Sequence, residues 1–499
     1  MKPTSLPLAL LLLTAVLPFT TADEFAPFPQ NRVRDFYSRQ AEHFMAAKEP
    51  LPDVLPQFPG LDGGAFGHWG QNPSENSVDT SLNHIDSGNI ICSHVKHFGK
   101  NTHKGVAIRL HEDPTNPAAS IGAVFDPLKL TFTDSWSGGF VARGSNRFGV
   151  HDGASAIGKR LFDFTAGGWI VPEDTAKKYV GFYRHGKDVV FAYRLGDATV
   201  YDRLWALDGV LIRSLQIDGQ LPPFAKLTLM KADAMGEPIT GREFTHANFT
   251  SSAGPVSIGI HHNASTPILR NKDGRAILDF RKQSADDTVH IQFHSSDAKP
   301  LTALSNSKVK ADHSPKTFVQ PAPGQWTGRT ATTAGELGNN SDAFAIDTVT
   351  IPYATANPFG TPMRLAGVGS LGDGRMVLST LLGDVWIVSG VDESMKQLTW
   401  QRIAAGLYQP LGLVVQDGKI ILGGNDQITR LHDNNGDGEA DFYECLTNDY
   451  PTTGGHDFAT SLQQDDQGRL YWATASRDFG LTRLDENGEV NLTLQGTAL

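Results

Sequence analysis

Short runs in which apolar and polar residues alternate fill most of the chain, and Gly, Asp or Asn closes each run. The clearest series is DVVFAYRLGDATVYDRLWALDGVLIRSLQID at 188–218, where Gly-Asp and Asp-Gly interrupt the alternation. A period of two with that punctuation predicts successive antiparallel strands joined by tight turns. VSIGIHHN, AILDF and TVHIQFHSS continue the pattern, so residues 55–318 are expected to form an all-β, sandwich-like domain. Helical spacing shows in NRVRDFYSRQAEHFMAAK, where Val33, Phe36, Phe44 and Met45 fall near one face and Asn31 is placed to cap, which makes 23–54 an N-terminal helical segment. Pro, Gly, Thr and Ala dominate 319–336, and 319–354 reads as a linker or strand-poor crossing.

From 355 to 499 the pattern repeats itself. Asp373-Gly374, Asp417-Gly418 and Gln467-Gly468 occupy equivalent places, 44 and then 50 residues apart. That period is close to the roughly 40 to 50 residues of a four-stranded propeller blade. Three blades can be counted, against about four to eight in a closed ring. The expected fold class is therefore mainly β: an N-terminal all-β, sandwich-like domain followed by a partial β-propeller of about three blades. The chain is expected to be a fragment or truncated product.

The first residues change the picture of where the protein works. MKPTSLPLALLLLTAVLPFTTADEF has Lys2, an apolar run from Leu6 to Leu17 and small residues before a cut after Ala22, so 1–22 is expected to be a removable secretory signal and the protein periplasmic or extracellular. No later stretch is long and apolar enough to span a bilayer. With 43 basic against 54 acidic residues the chain lacks the basic footprint that nucleic acid requires. Cys92 and Cys445 are the two cysteines of the chain, too few for a disulfide framework, and whether they pair stays open.

The densest chemistry is HDNNGDGEADFYE, His432 to Glu444. Asp433, Asn435, Asp437, Gly438, Asp441 and Glu444 fill positions 1, 3, 5, 6, 9 and 12 of a calcium-loop pattern, with the carbonyl of Glu439 at position 7. Alternate oxygen donors before a sharp glycine turn can converge on one hard cation. The flanks QITRL and DFYECL are strand-like, which places the loop between strands, leaves the bidentate role of Glu444 in doubt and favours a structural ion; the alternative is a solvated acidic turn. CSHVKHFGKNTH gathers Cys92, His94, His97 and His103, but alternation puts Cys92 and His94 on one face and His97 on the other, as it separates His261 from His262 in GIHHN. Glycines in GLDGGAFGHWG and SWSGGFVARGSNRFG sit outside any βαβ pattern and read as tight turns, not as a dinucleotide fingerprint.

The run LTWQRIAAGLYQPLGLVVQDGKIILGGNDQITRLHDNNGDGEADFYE, preceded by GDVWIVSGVD, resembles the propeller of exported proteins of planctomycetes and verrucomicrobia labelled membrane-bound dehydrogenases. These are distantly similar to quinoprotein glucose/sorbosone dehydrogenases. FPGLDGGAFGHWG, KGVAIRL, FDPLKLTFTDSWSGGFV and KKYVGFYRHGKDVVFAYRLGD resemble the domain of unknown function that precedes that propeller. The resemblance implies oxidation of a sugar or other alcohol, with pyrroloquinoline quinone as a cofactor and a haem c electron acceptor as partner. The Cys-x-x-Cys-His motif of covalent haem attachment is absent from these 499 residues. The resemblance also implies a catalytic role for His456, which stands where such enzymes keep a proton-accepting histidine; the alternative is a hydrogen-bonded histidine near the central channel. Arg477 and Asp478, after the same strand, could orient a bound anion or sugar hydroxyl or equally form a surface pair. This chain reads Gly454-Gly455-His456-Asp457 where close relatives have His-x-His-Glu, one histidine fewer. The rival expectation is a non-catalytic module binding a glycan or a protein.

Overall fold

The computed structural model describes residues 86–499 apart from 144–152, 208, 241–243, 252–253, 263–266, 281–286, 296–312, 342–343, 353–356, 362, 451, 453–457, 476–478, 486–488 and 497–499. The signal segment and the expected N-terminal helix lie outside these residues. The described residues belong to one compact unit that begins at Thr80, and its strands form five sheets.

A seven-stranded sheet is built around Ile90–His97, Lys100–His111, Ile121–Asp126 and Thr131–Ser137. It faces a longer sheet that runs through Lys177–His185, Asp188–Leu195, Ala198–Leu207 and Val210–Asp218, then Asp287–Ser295 and Val256–His262. The alternation read from 188–218 has its cause here, because every second side chain enters the space between two sheets. Phe125 of the first sheet stacks on Phe191 of the second at 4.0 Å, and Phe132 meets Phe191 edge-on at 5.6 Å. One group of polar side chains trapped in this sandwich is satisfied as a set: Arg213 Nη2 donates to Asp202 Oδ2 at 2.6 Å, Tyr193 Oη to the same oxygen at 3.0 Å, and Trp169 Nε1 to Tyr193 Oη at 2.8 Å.

Three four-stranded antiparallel blades follow. The first contains Leu365–Ser370, Met376–Thr380, Val385–Ser389 and Leu398–Ala404, and the crossing segment contributes a fifth strand, Thr330–Thr333, to its outer edge. The second contains Gly412–Gln416, Lys419–Gly423, Ile428–His432 and Phe442–Thr447; the third contains Phe458–Gln464, Leu470–Ala475, Phe479–Leu484 and Val490–Gly496. The three repeated turns at 373, 417 and 467 each join a first strand to a second. First strands of neighbouring blades crowd together: a Cβ on Gly412 would lie 2.5 Å from Leu462, a distance only glycine tolerates.

The sandwich and the second blade share one sheet. The blade's outer strand pairs with the front domain's Lys177–His185 strand, Phe442 opposite Tyr183, Tyr443 opposite Phe182 and Glu444 opposite Gly181. Aromatic stacking seals the junction, Tyr183 on Phe442 at 4.1 Å and Phe182 on Tyr443 at 4.6 Å. No helix among the described residues is long and apolar enough to cross a membrane.

Candidate functional site

Because antiparallel strands reverse direction at every turn, the second blade has two distinct ends. The turn 424–427 and the connection to the third blade, 448–457, leave from one end; the acidic loop 433–441 leaves from the other. His456 lies outside the described residues, as do Arg477 and Asp478, but the flanks of both segments are placed. Asn425 holds the two sides of the His456 segment: its carbonyl accepts from Thr452 Oγ1 at 2.5 Å and its Oδ1 from the Ala459 N–H at 2.9 Å. Phe458, the neighbour of Ala459, pairs with Ala475, where the segment carrying Arg477 begins.

Beside Asn425 sit two buried ionisable groups. Lys104, on a front-domain strand and 5% exposed, sends its Nζ to the carbonyls of Asn448 and Tyr450, both at 2.8 Å, and lies 4.4 Å over the Tyr450 ring. Burial lowers its ammonium to about 8, against the opposing charges of Asp426, Cys445 and Asp449. Asp426 is also 5% exposed, and burial raises its carboxyl to about 7 although the backbone N–H of Gln427 and the charge of Lys104 oppose the shift. Both shifts come chiefly from burial where the front-domain strand approaches this end of the blade. Neither stood out as a sequence motif. The available signal was Lys104 itself, which alternates in phase with the buried Val106 and Ile108.

At the opposite end the acidic side chains organise their own turn. Asp433 accepts from the N–H groups of Gly436 at 2.7 Å and Gly438 at 2.9 Å, and Asp437 Oδ1 from that of Glu439 at 2.9 Å. Asn435 Nδ2 donates to Asp437 Oδ2 at 2.9 Å and to the Ala322 carbonyl at 3.0 Å. Asp441 Oδ2 accepts from the Asn434 N–H at 2.7 Å; burial and then the like charges of Asp437 and Asp433 push its carboxyl up. The Glu439 side chain turns inward and receives the N–H groups of Gln325 and Trp326. Glu444 stands on the strand opposite Arg430 and accepts from His432 Nε2 at 2.8 Å and Arg430 Nη1 at 3.3 Å; these partners hold its carboxyl below the usual range. Among the described residues no group of three or more His, Cys, Asp and Glu side chains is already drawn together to hold a metal. The donor chemistry of the loop is all oxygen, and its mutually repelling carboxylates are of the kind a hard cation relieves.

The remaining candidates resolve into structural roles. His97 is locked between Asp134 Oδ2 at 2.7 Å and Thr102 Oγ1 at 2.9 Å, while His94 meets His103 edge-on at 4.8 Å. Cys92 and Cys445 are free thiols, both buried. His261 and His262 are buried on the strand paired to Asp287–Ser295.

The profile of a family described as a domain of unknown function, DUF6797, matches residues 123–202, which takes in two of the front-domain segments on which the resemblance rests. No curated protein matches the chain. Solved structures similar to it include PorZ, a surface component of the type-IX secretion system of Porphyromonas gingivalis, at 8% identity, 78% of this chain, 56% of PorZ and a TM-score of 0.24. AztD of Citrobacter koseri is similar at 8% identity over 82% of this chain and 86% of AztD, with a TM-score of 0.19. The chain thus spans little more than half the length of PorZ.

Proposed function

We propose that the chain is an exported β protein of a sugar- or alcohol-oxidising kind, with its reacting end where the turn 424–427 meets the connection carrying His456. The observation that carries this reading is the Asn425 clamp on both flanks of that connection, next to Lys104 and Asp426. Oxidising an alcohol requires a base for the hydroxyl proton, and the His456 imidazole takes that role. Arg477 orients the substrate. The carbon-bound hydrogen leaves with its electron pair to an external two-electron acceptor, with a haem c protein as the downstream partner that the resemblance implies. Among the described residues no donor set identifies a quinone site, so no step is assigned to pyrroloquinoline quinone. The acidic loop, at the far end of the same blade, binds calcium through Asp433, Asn435, Asp437, Asp441 and the Glu439 carbonyl, with Glu444 behind them, and braces the blade without entering the chemistry.

The test is dye reduction by the purified chain, supplied with calcium and pyrroloquinoline quinone, over a panel of sugars and alcohols. Reduction with at least one substrate is expected; none with any substrate overturns the reading. A rival, a non-catalytic glycan-binding module, draws on a cavity of about 420 Å³ lined by polar and charged side chains where the front sheets meet the crossing segment, and retention on immobilised polysaccharide without turnover would select it.

A further inference from the structure

The connection between the first and second blades, 405–411, passes the same end of the second blade as the turn 424–427. One of its buried residues is strained: Gln409, 4% exposed, has a φ of +47° although it carries a side chain and precedes Pro410. A residue before proline ordinarily takes an extended backbone, and the left-handed region is disfavoured for any residue with a Cβ. The conformation is imposed from both sides. The Tyr408 carbonyl accepts from the Asn425 N–H at 2.8 Å, and the Pro410 carbonyl accepts from Ser379 Oγ at 2.8 Å, which itself accepts from the Gly367 N–H at 3.0 Å. Strain held in place at a buried polar residue points to a task for its side chain.

That task is visible at Asn425, which is 2% exposed. Gln409 Oε1 accepts from Asn425 Nδ2 at 2.5 Å. The oxygen of the same amide accepts from the Ala459 N–H at 2.9 Å, and the Asn425 carbonyl accepts from Thr452 Oγ1 at 2.5 Å. A backbone N–H only donates, so Asn425 must turn its Oδ1 to Ala459 and its Nδ2 the other way. The nitrogen is then a buried donor in need of an acceptor, and Gln409 supplies it. One amide thus links three successive elements: the connection from the first blade, the turn of the second, and the first strand of the third.

We infer that Gln409 is a positioning residue, which sets the Asn425 amide so that the connection carrying His456 is held at both of its flanks, Thr452 and Ala459. Its effect on turnover rests on the reading of this end as the place of oxidation; its effect on the flanks does not. The test is hydrogen exchange at the Ala459 N–H, read by mass spectrometry with residue-level fragmentation, in the parent and three variants of the full chain. Gln409→Gly relieves the backbone and removes the acceptor, Gln409→Met keeps the length and removes the acceptor, and Gln409→Glu keeps an acceptor at the same reach. Exchange at Ala459 should quicken about fivefold or more in Gln409→Gly and Gln409→Met, with protection elsewhere in the sheets unchanged, and return towards the parent in Gln409→Glu. A residue needed only for the turn predicts the opposite, because glycine fits a φ of +47° better and would leave Ala459 as protected as before. Unchanged exchange in folded Gln409→Gly and Gln409→Met overturns the inference, as does Gln409→Glu exchanging as fast as Gln409→Met, or protection lost throughout the molecule in all three. With a substrate that the parent oxidises, Gln409→Gly should lower kcat about fivefold or more at a nearly unchanged KM, and an unchanged kcat beside quickened exchange would overturn the role in turnover. A parent without turnover sinks the oxidation reading and leaves the exchange at Ala459 to decide this one.

Discussion

Gly181 of the front domain lies directly opposite Glu444 of the second blade, and the junction between them has no room for a side chain. Its φ is +133°, and a Cβ there would lie 2.1 Å from the Tyr443 carbonyl oxygen. Gly181→Ala therefore meets backbone strain and a clash with backbone that cannot swing aside. A loss of about 2 to 4 kcal/mol is expected in urea unfolding. A variant as stable as the parent would mean that the two sheets are not joined along this strand pair.

The buried Asp426 and Lys104 give stability a specific pH profile. Folding raises the Asp426 carboxyl from 3.8 to about 7, so the folded chain holds that proton more tightly, and the resulting stabilisation is full at low pH and lost as pH climbs from about 4 to 7. Folding lowers Lys104 from 10.5 to about 8, so the unfolded chain binds more protons between those values and stability recovers as pH rises through them. The pair thus contributes least between about pH 7 and 8, where both groups are buried and charged. Asp426→Asn removes the falling limb, whose slope is at most about 1.4 kcal/mol per pH unit. Unfolding free energies measured from pH 4 to 7 should converge or cross for parent and variant; parallel profiles would rule the coupling out.

The two thiols should be silent in the folded chain. Burial pushes Cys92 and Cys445 well above the ordinary thiol range, which suppresses the reactive thiolate. A colorimetric thiol reagent is expected to count no reactive sulfhydryl in native protein and two in denaturant. Reaction in the native state would show that the junction opens.

For the acidic loop, elemental analysis is expected to find one calcium per chain. Chelator should lower the melting temperature of the parent, and Asp437→Ala should abolish that response, because the oxygen set of the loop then loses its central carboxylate. Metal-free protein with no response to added calcium would leave the loop as a solvated acidic turn held by its own N–H acceptance.

Much of the fold was legible because strand signals are local. The turns at Asp373, Asp417 and Gln467 each sit between a first and a second blade strand, and QITRL and DFYECL became the strands flanking the acidic loop. The crossing segment was harder: Thr330–Thr333 has little apolar character and is a strand because Leu398–Ala404 offers it an open edge. The sharing of one sheet by sandwich and blade was hidden for the same reason, since pairing of Phe442–Glu444 with Gly181–Tyr183 links residues some 260 apart. Of the site, the acidic loop was visible as spacing. Asn425 and Asp426 were not, because a polar turn between apolar strands reads as ordinary solvent-facing punctuation. Its burial is tertiary: Asn425 bonds Tyr408, Gln409, Thr452 and Ala459.

The central claim is a division of labour between the two ends of the second blade, and turnover by His456→Ala measured beside Asp437→Ala tests it most directly. With a substrate that the parent oxidises, His456→Ala should lose nearly all dye reduction at an unchanged melting temperature. Asp437→Ala should keep its rate at moderate temperature and melt earlier. Full activity in His456→Ala, or loss of turnover in Asp437→Ala while it remains folded, would contradict the account.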